Sequence, residues 1–191
     1  MPALQSQLEL ITLDQYEALP EDKRAEVFDG IIYDMSSLSQ IHQTILTELL
    51  VIIRNYIKSK NGSCSVFPAP FDVKLSDKPL TIVQPDIMVI CDKDKLDGKR
   101  CNGAPDFIIE IVSPGNPSDD YIRKLYYYQN YGVREYWILD FAQEKVLVYF
   151  FESDNYPVIY GFDKSVPVNI YEGNLAIDFT NIAKWLKDGM E

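Results

Sequence analysis

Residues 104–114 read APDFIIEIVSP, and within them Phe107-Ile108-Ile109-Glu110-Ile111-Val112 reads as a buried β-strand interrupted by one carboxylate. Aromatic and β-branched residues in a short run bounded by proline favour a strand. Alternation places Ile109 and Ile111 on one face, and Ile108 and Val112 on the same face as Glu110. Polar alternation therefore does not explain the glutamate. An unpaired buried charge costs several kcal/mol or gives up its charge, so a compensating partner for Glu110 is expected.

Working outward, a second run, Val83-Gln84-Pro85-Asp86-Ile87-Met88-Val89, also holds one acid among apolar neighbours, directly after a proline that favours an extended start. If the two strands are neighbours, Asp86 and Glu110 converge on one point and can share a cation. Hard divalent ions take oxygen ligands, often one or two carboxylates with water and substrate phosphate. Taken singly, Asp86 also suits a strand-end cap, and Glu110 an internal salt bridge to Arg100 or Arg123.

After the glutamate strand, the sequence predicts a helix from about Ser118 to Tyr131, closed by Gly132. Asp120, Lys124 and Tyr128 are spaced to share one face of it, with Ile122, Leu125 and Gln129 on another. An Asp–Lys pair at that spacing is ordinarily a solvated bridge.

Elsewhere, Thr12–Leu19 reads as a short helix capped by Thr12. Glu26–Met35 reads as a hairpin turning at Asp29-Gly30. Ile41, Ile45, Leu49, Ile52, Ile53 and Tyr56 recur at helical spacing until Asn61-Gly62, with a cap among Ser36, Ser37 and Ser39. Strands are expected at about 64–75, 86–91, 106–113, 135–140, 145–151 and 158–160, and a last helix at about 180–187. This order predicts one domain over residues 1–191, of α/β or α+β class, with a central mixed sheet flanked by helices.

Of the 191 residues, 47% are apolar and 25% charged, an ordinary globular composition; the net charge of −11 opposes indiscriminate adhesion to nucleic acid or anionic membrane. Cys64, Cys91 and Cys101 form no C-x-x-C pair, so a disulfide framework or cysteine zinc site is not expected and a reduced, cytoplasmic setting is. The opening residues carry no signal-peptide pattern, and the aliphatic run Leu49–Ile53 is too short for a bilayer.

Pro85-Asp86, Ile109-Glu110-Ile111-Val112-Ser113-Pro114 and the series Asp120, Lys124, Tyr128, Gly132-Val133, Glu135-Tyr136-Trp137 and Asp140 together resemble the Uma2 family of the PD-(D/E)xK, restriction-endonuclease-like superfamily. Glu26-Val27-Phe28-Asp29-Gly30, Tyr33, Met35 and His42-Gln43 resemble the family's N-terminal signature. The match spans about residues 12–150, leaving C-terminal strands and a short helix over 151–191. The resemblance implies a restriction-endonuclease-like core and an endonuclease using Mg²⁺ or Mn²⁺. It implies Asp86, Glu110 and the backbone carbonyl of Ile111 as metal ligands, and nucleic acid as substrate, DNA before RNA. The superfamily's usual lysine would stand at position 112, which here is Val112; Lys124 is the replacement that the resemblance suggests.

Glu26 matches a family position that supplies an extra ligand or hydrogen bond, or else is a surface charge beside the hairpin turn. His42, the only histidine, reads as a general base or as a polar structural residue. The tyrosines at 126, 127, 128, 131 and 136 suit base stacking, core packing or a homodimer interface. Lys93, Lys95, Lys99 and Arg100 offer phosphate contacts that Asp92, Asp94 and Asp97 largely cancel. A reading from another class keeps the fold but makes the protein an interaction or assembly domain with a weak or vestigial site.

Overall fold

The computed structural model describes residues 10–20, 22–35, 37–113, 119–153 and 156–188, without the side chains of Asp119 and of residues 185–188. Ser36, Pro114 and Ser118, named above, lie outside them. A short helix α1 (Leu13–Glu17) opens the fold, and Thr12 and Gln15 close a reciprocal capping box. The hairpin follows as β1 (Ala25–Phe28) and β2 (Ile31–Asp34), turning through Asp29 and Gly30, both at positive φ. A Cβ on Gly30 would stand 2.7 Å from that of Leu10, so glycine is needed there for space as well as conformation.

Ser39 caps the long helix α2 (Gln40–Ser59), its hydroxyl accepting from the His42 N–H. The run expected at 64–75 divides into β3 (Ser65–Pro68) and β4 (Val73–Asp77), which belong to different sheets, with a cis Ala69–Pro70 peptide between them. Next come β5 (Leu80–Val83), β6 (Ile87–Ile90), the two-residue β7 (Cys101–Asn102) and β8 (Phe107–Ile111). A π-helical turn, Asp119–Lys124, leads into α3 (Leu125–Tyr131), which ends at Gly132 with φ 91°. The chain finishes with β9 (Glu135–Asp140), β10 (Lys145–Phe150), β11 (Val158–Gly161), β12 (Ser165–Pro167), β13 (Ala176–Asp178) and α4 (Phe179–Asp188).

The central six-stranded sheet has the order β11-β10-β9-β8-β6-β3 and is mixed: β8 and β9 are parallel, while β6 and β8 are antiparallel. A five-stranded sheet, β2-β1-β5-β4-β7, stands beside it, and β12 pairs with β13. The chain passes from β5 of one sheet to β6 of the other through Gln84-Pro85-Asp86. Strands β5, β7, β12 and β13 were not expected from the sequence; all are short, and the polar turns around them obscure any alternation.

Two cores cover the central sheet. On one face Phe107, Ile109 and Ile111 pack against Ile45, Leu49 and Ile53 of α2. On the other, Ile108 and Val112 meet Tyr127, Tyr128 and Tyr136 together with Phe28 of the hairpin. Glu110 lies on this second face, as alternation requires. The cysteines depart from the expected reduced state, because Cys64 and Cys91, flanking the first pair of the β3–β6 ladder, form a disulfide; Cys101 is free and buried. No helix among the described residues is long and apolar enough to cross a membrane.

Candidate active site

Glu110 is 2% exposed, and its partners come from three directions. Its Oε1 accepts from Lys124 Nζ at 3.0 Å and from the Tyr128 hydroxyl at 2.6 Å. Its Oε2 accepts from the Asp86 N–H at 3.4 Å. The expected convergence with Asp86 follows from register, since Ile87 pairs with Ile109 and brings Asp86 to the end of β8. The compensating ion pair is with Lys124, not with Arg100 or Arg123. Arg100 instead pairs with Glu17, and the Arg123 guanidinium lies over the Tyr33 ring at 4.0 Å.

Asp86 Oδ2 accepts the Ile111 N–H at 2.8 Å and lies 3.0 Å from His42 Nε2. His42 reaches it from the first turn of α2, is 2% exposed, and has no partner for its buried Nδ1 among the described residues. Glu26 arrives from β1 of the other sheet. Its Oε1 accepts the Gln84 N–H at 2.9 Å and lies 3.4 Å from Lys124 Nζ. Asp120 completes the group, 3.6 Å from Lys124 Nζ. Tyr136, one of the tyrosines read as suited to base stacking or core packing, is fully buried and donates its hydroxyl to the Asp120 carbonyl at 2.9 Å. Gln84, also unmarked in the sequence, ties Glu26 to the segment between the sheets.

Far from a solvated bridge, the Asp120–Lys124–Tyr128 face is buried throughout. Ile122, by contrast, is 71% exposed. The wide turn of the π-helix sets Asp120 and Lys124 over the strand ends, and such turns recur at functional sites. Lys124 is thus a cation enclosed by Glu110, Glu26 and Asp120.

The charges do not balance. Four buried carboxylates, Glu26, Asp86, Glu110 and Asp120, face one ammonium. Burial raises the Glu110 carboxyl well above the usual carboxylate range; Lys124 opposes the shift, while Asp86, Asp120 and Glu26 add to it. Burial likewise lifts Asp120 to about 6. Burial also works against the Lys124 ammonium, but Glu110, Glu26 and Asp120 outweigh it and hold the lysine charged. Among the described residues, no three His, Cys, Asp or Glu side chains already stand as an assembled metal cage. The donor set is nonetheless all oxygen and carries surplus negative charge, which suits a hard divalent cation.

Other candidates have structural roles. Asp140 ends β9, accepting from the Gln143 N–H and the Tyr121 hydroxyl. Lys95 donates to the Ala104 carbonyl, and Asp97 accepts the N–H groups of Lys99 and Arg100. Of the α3 tyrosines, Tyr127 and Tyr128 are buried in the core and Tyr126 is 61% exposed.

The profile of the Uma2 family, described as "Putative restriction endonuclease", matches residues 13–174. The fold is similar to the crystal structure of a protein from Anabaena variabilis ATCC 29413 described as "a putative nuclease belonging to DUF820". The TM-score is 0.76 and the identity 23%, covering 92% of this chain and 99% of that one, a likeness of fold. No curated protein matches the chain at a significant level.

Proposed function

The chain belongs to the Uma2 family, and from that premise we propose that it is a divalent-metal-dependent nuclease hydrolysing phosphodiester bonds, with DNA as the substrate before RNA. The observation that carries the proposal is the surplus of buried carboxylates around Lys124, whose burial cost a bound divalent cation would offset. Asp86 and Glu110 are the ligands in this reading. The Ile111 N–H already faces Asp86, and in an extended strand the carbonyl of the same residue points to the same side, which supports Ile111 as the third. A bound Mg²⁺ or Mn²⁺ would polarise the phosphodiester and lower the pKa of a bound water.

The protein's own groups do the rest. Lys124, held by Glu26 and Asp120, orients the attacking water or donates a hydrogen bond to charge developing on the phosphoryl oxygens. The Tyr128 hydroxyl fixes Glu110. His42 and the Ile111 N–H fix Oδ2 of Asp86, so His42 acts as a positioning residue rather than a general base. Water oxygen bonds to phosphorus while the bond to the leaving sugar oxygen breaks, the water giving up a proton to solvent and the leaving oxygen taking one from it.

Calorimetric titration of Mg²⁺ and Mn²⁺ into wild type and Glu110→Ala, with both assayed on DNA and RNA, tests the proposal. Metal binding and metal-dependent cleavage, both lost in the variant, are the expected result. Wild type that binds no metal at millimolar concentration and cuts nothing would make Glu110 a structural ion-pair residue and favour an interaction or assembly role.

A further inference from the structure

We propose that the cleft between the C-terminal half of α2 and the outer edge of β3 seats the backbone of duplex DNA flanking the cleaved bond, with Arg54 and Lys58 as phosphate contacts. The inference rests on the nuclease reading above and adds where the substrate lies.

Acids outnumber lysines and arginines 29 to 18 in this chain, yet Leu49–Phe71 holds Arg54, Lys58 and Lys60 and no acid. Several surface cations elsewhere are paired: Lys23 with Asp34, Lys74 with Asp77, Arg134 with Asp106 and Glu152, Lys164 with Asp163. Lys78, Lys93 and Lys99, without an ion pair among the described residues, stand within two residues of an aspartate in sequence. Arg54 and Lys58 are exposed and make no ion pair among the described residues. Both line an open cleft of about 550 Å³, together with the polar side chains of Asn61 and Ser65 and the ring of Phe67.

The helix dipole favours Lys58, which stands in the last turn of α2. It does not account for Arg54, because the effect fades beyond that turn. A polyanion approaching four carboxylates on a chain of net charge −11 needs a local positive field, and this stretch supplies one.

The placement also connects the cleft to the site. Strand β3 is the last of the central sheet, with one edge unpaired among the described residues. It runs from the cleft to Ala69, whose N–H donates to the Asp86 carbonyl at 3.0 Å. Four residues of strand span about 13 Å. Helix α2 runs between the same two places, with His42 at Asp86 and Arg54 and Lys58 about 18 and 24 Å further along its axis. At the rise of a duplex this is about 5–7 base pairs.

The test compares wild type with Arg54→Gln/Lys58→Gln, both exposed positions, on labelled duplexes with long flanks and with flanks of about 3 base pairs, shorter than the expected reach. Binding is followed by anisotropy against NaCl, in EDTA and in Mg²⁺, alongside cleavage and thermal melting. The double variant is expected to melt with wild type, to keep kcat, and to bind the long duplex at least tenfold more weakly. Its slope of log K against log salt should be shallower by about 1.8, the loss of two phosphate contacts. On the short duplex the two proteins should be equal.

Equal affinity and slope on the long duplex would overturn this surface even if wild type cuts DNA. Wild type that binds through Arg54 and Lys58 but cuts nothing would keep the surface and remove the nuclease reading. Wild type that binds no duplex in either condition overturns this surface, and the nuclease reading falls with it only if RNA and single-stranded DNA are also left uncut.

Discussion

Lys124 Nζ lies 3.0 Å from Glu110 Oε1, inside a shell completed by Glu26 at 3.4 Å and Asp120 at 3.6 Å. This relationship explains how a carboxylate survives in the most apolar strand of the chain. It also ties three segments that are remote in sequence: the hairpin, the central sheet and the helix after it. The ammonium offsets part of the cost of burying these carboxylates, and burial still raises the Glu110 carboxyl.

Removing that ammonium should therefore be costly. Lys124→Met is expected to destabilise the fold by about 3–5 kcal/mol, the scale for orphaning a buried charge. Urea unfolding measures it, and millimolar Mg²⁺ should restore more stability to the variant than it adds to wild type. Unchanged stability in the variant would take Lys124 out of the charge balance.

Asp120 predicts a pH dependence of definite sign. Its folded pKa of about 6 lies above its unfolded value. Its contribution is then fully present below about pH 4 and is lost as pH rises through about 6. Relative to Asp120→Asn, wild type should lose on the order of 2–3 kcal/mol between these limits. Denaturation of both proteins from pH 4 to 8 checks it, and parallel profiles would refute it.

Glu135 is a buried carboxylate with a different task. It accepts from Trp137 Nε1, Asn169 Nδ2 and the Ile170 N–H, joining β9 to the C-terminal segment. Glu135→Ala leaves three donors without an acceptor and should cost about 3 kcal/mol or more. Glu135→Gln, which keeps one acceptor, should cost less. Metal affinity of the folded protein, read by calorimetry, should not change in either.

The disulfide makes a chemical prediction. Denatured but unreduced protein should alkylate at one cysteine, Cys101, and at three after reduction. Opening a link that spans 27 residues should lower stability by about 3.5 kcal/mol on loop entropy alone. In the native state Cys101 should label slowly, because burial pushes its thiol up to about 11.

The sequence by itself determined the two acid strands, the apolar faces of α2 and β8, the hairpin turn at Asp29-Gly30 and the end of α3 at Gly132. These are local matters of periodicity, turn conformation and the oddity of a charge in an apolar run. It also marked Glu110, Asp86 and Lys124 through their family spacing.

Only the tertiary structure decided that strands within 25–102 form a second sheet, that Cys64 meets Cys91, and that Glu26 and His42 reach the carboxylate cluster. Each depends on which strands and helices become neighbours, and residues 26, 42, 86, 110 and 124 are too far apart for any local pattern to encode that. The partner of Glu110 shows the same limit. Several cations were near enough in sequence to serve, and the π-helical turn that carries Lys124 over the strand ends is what brings it to Glu110.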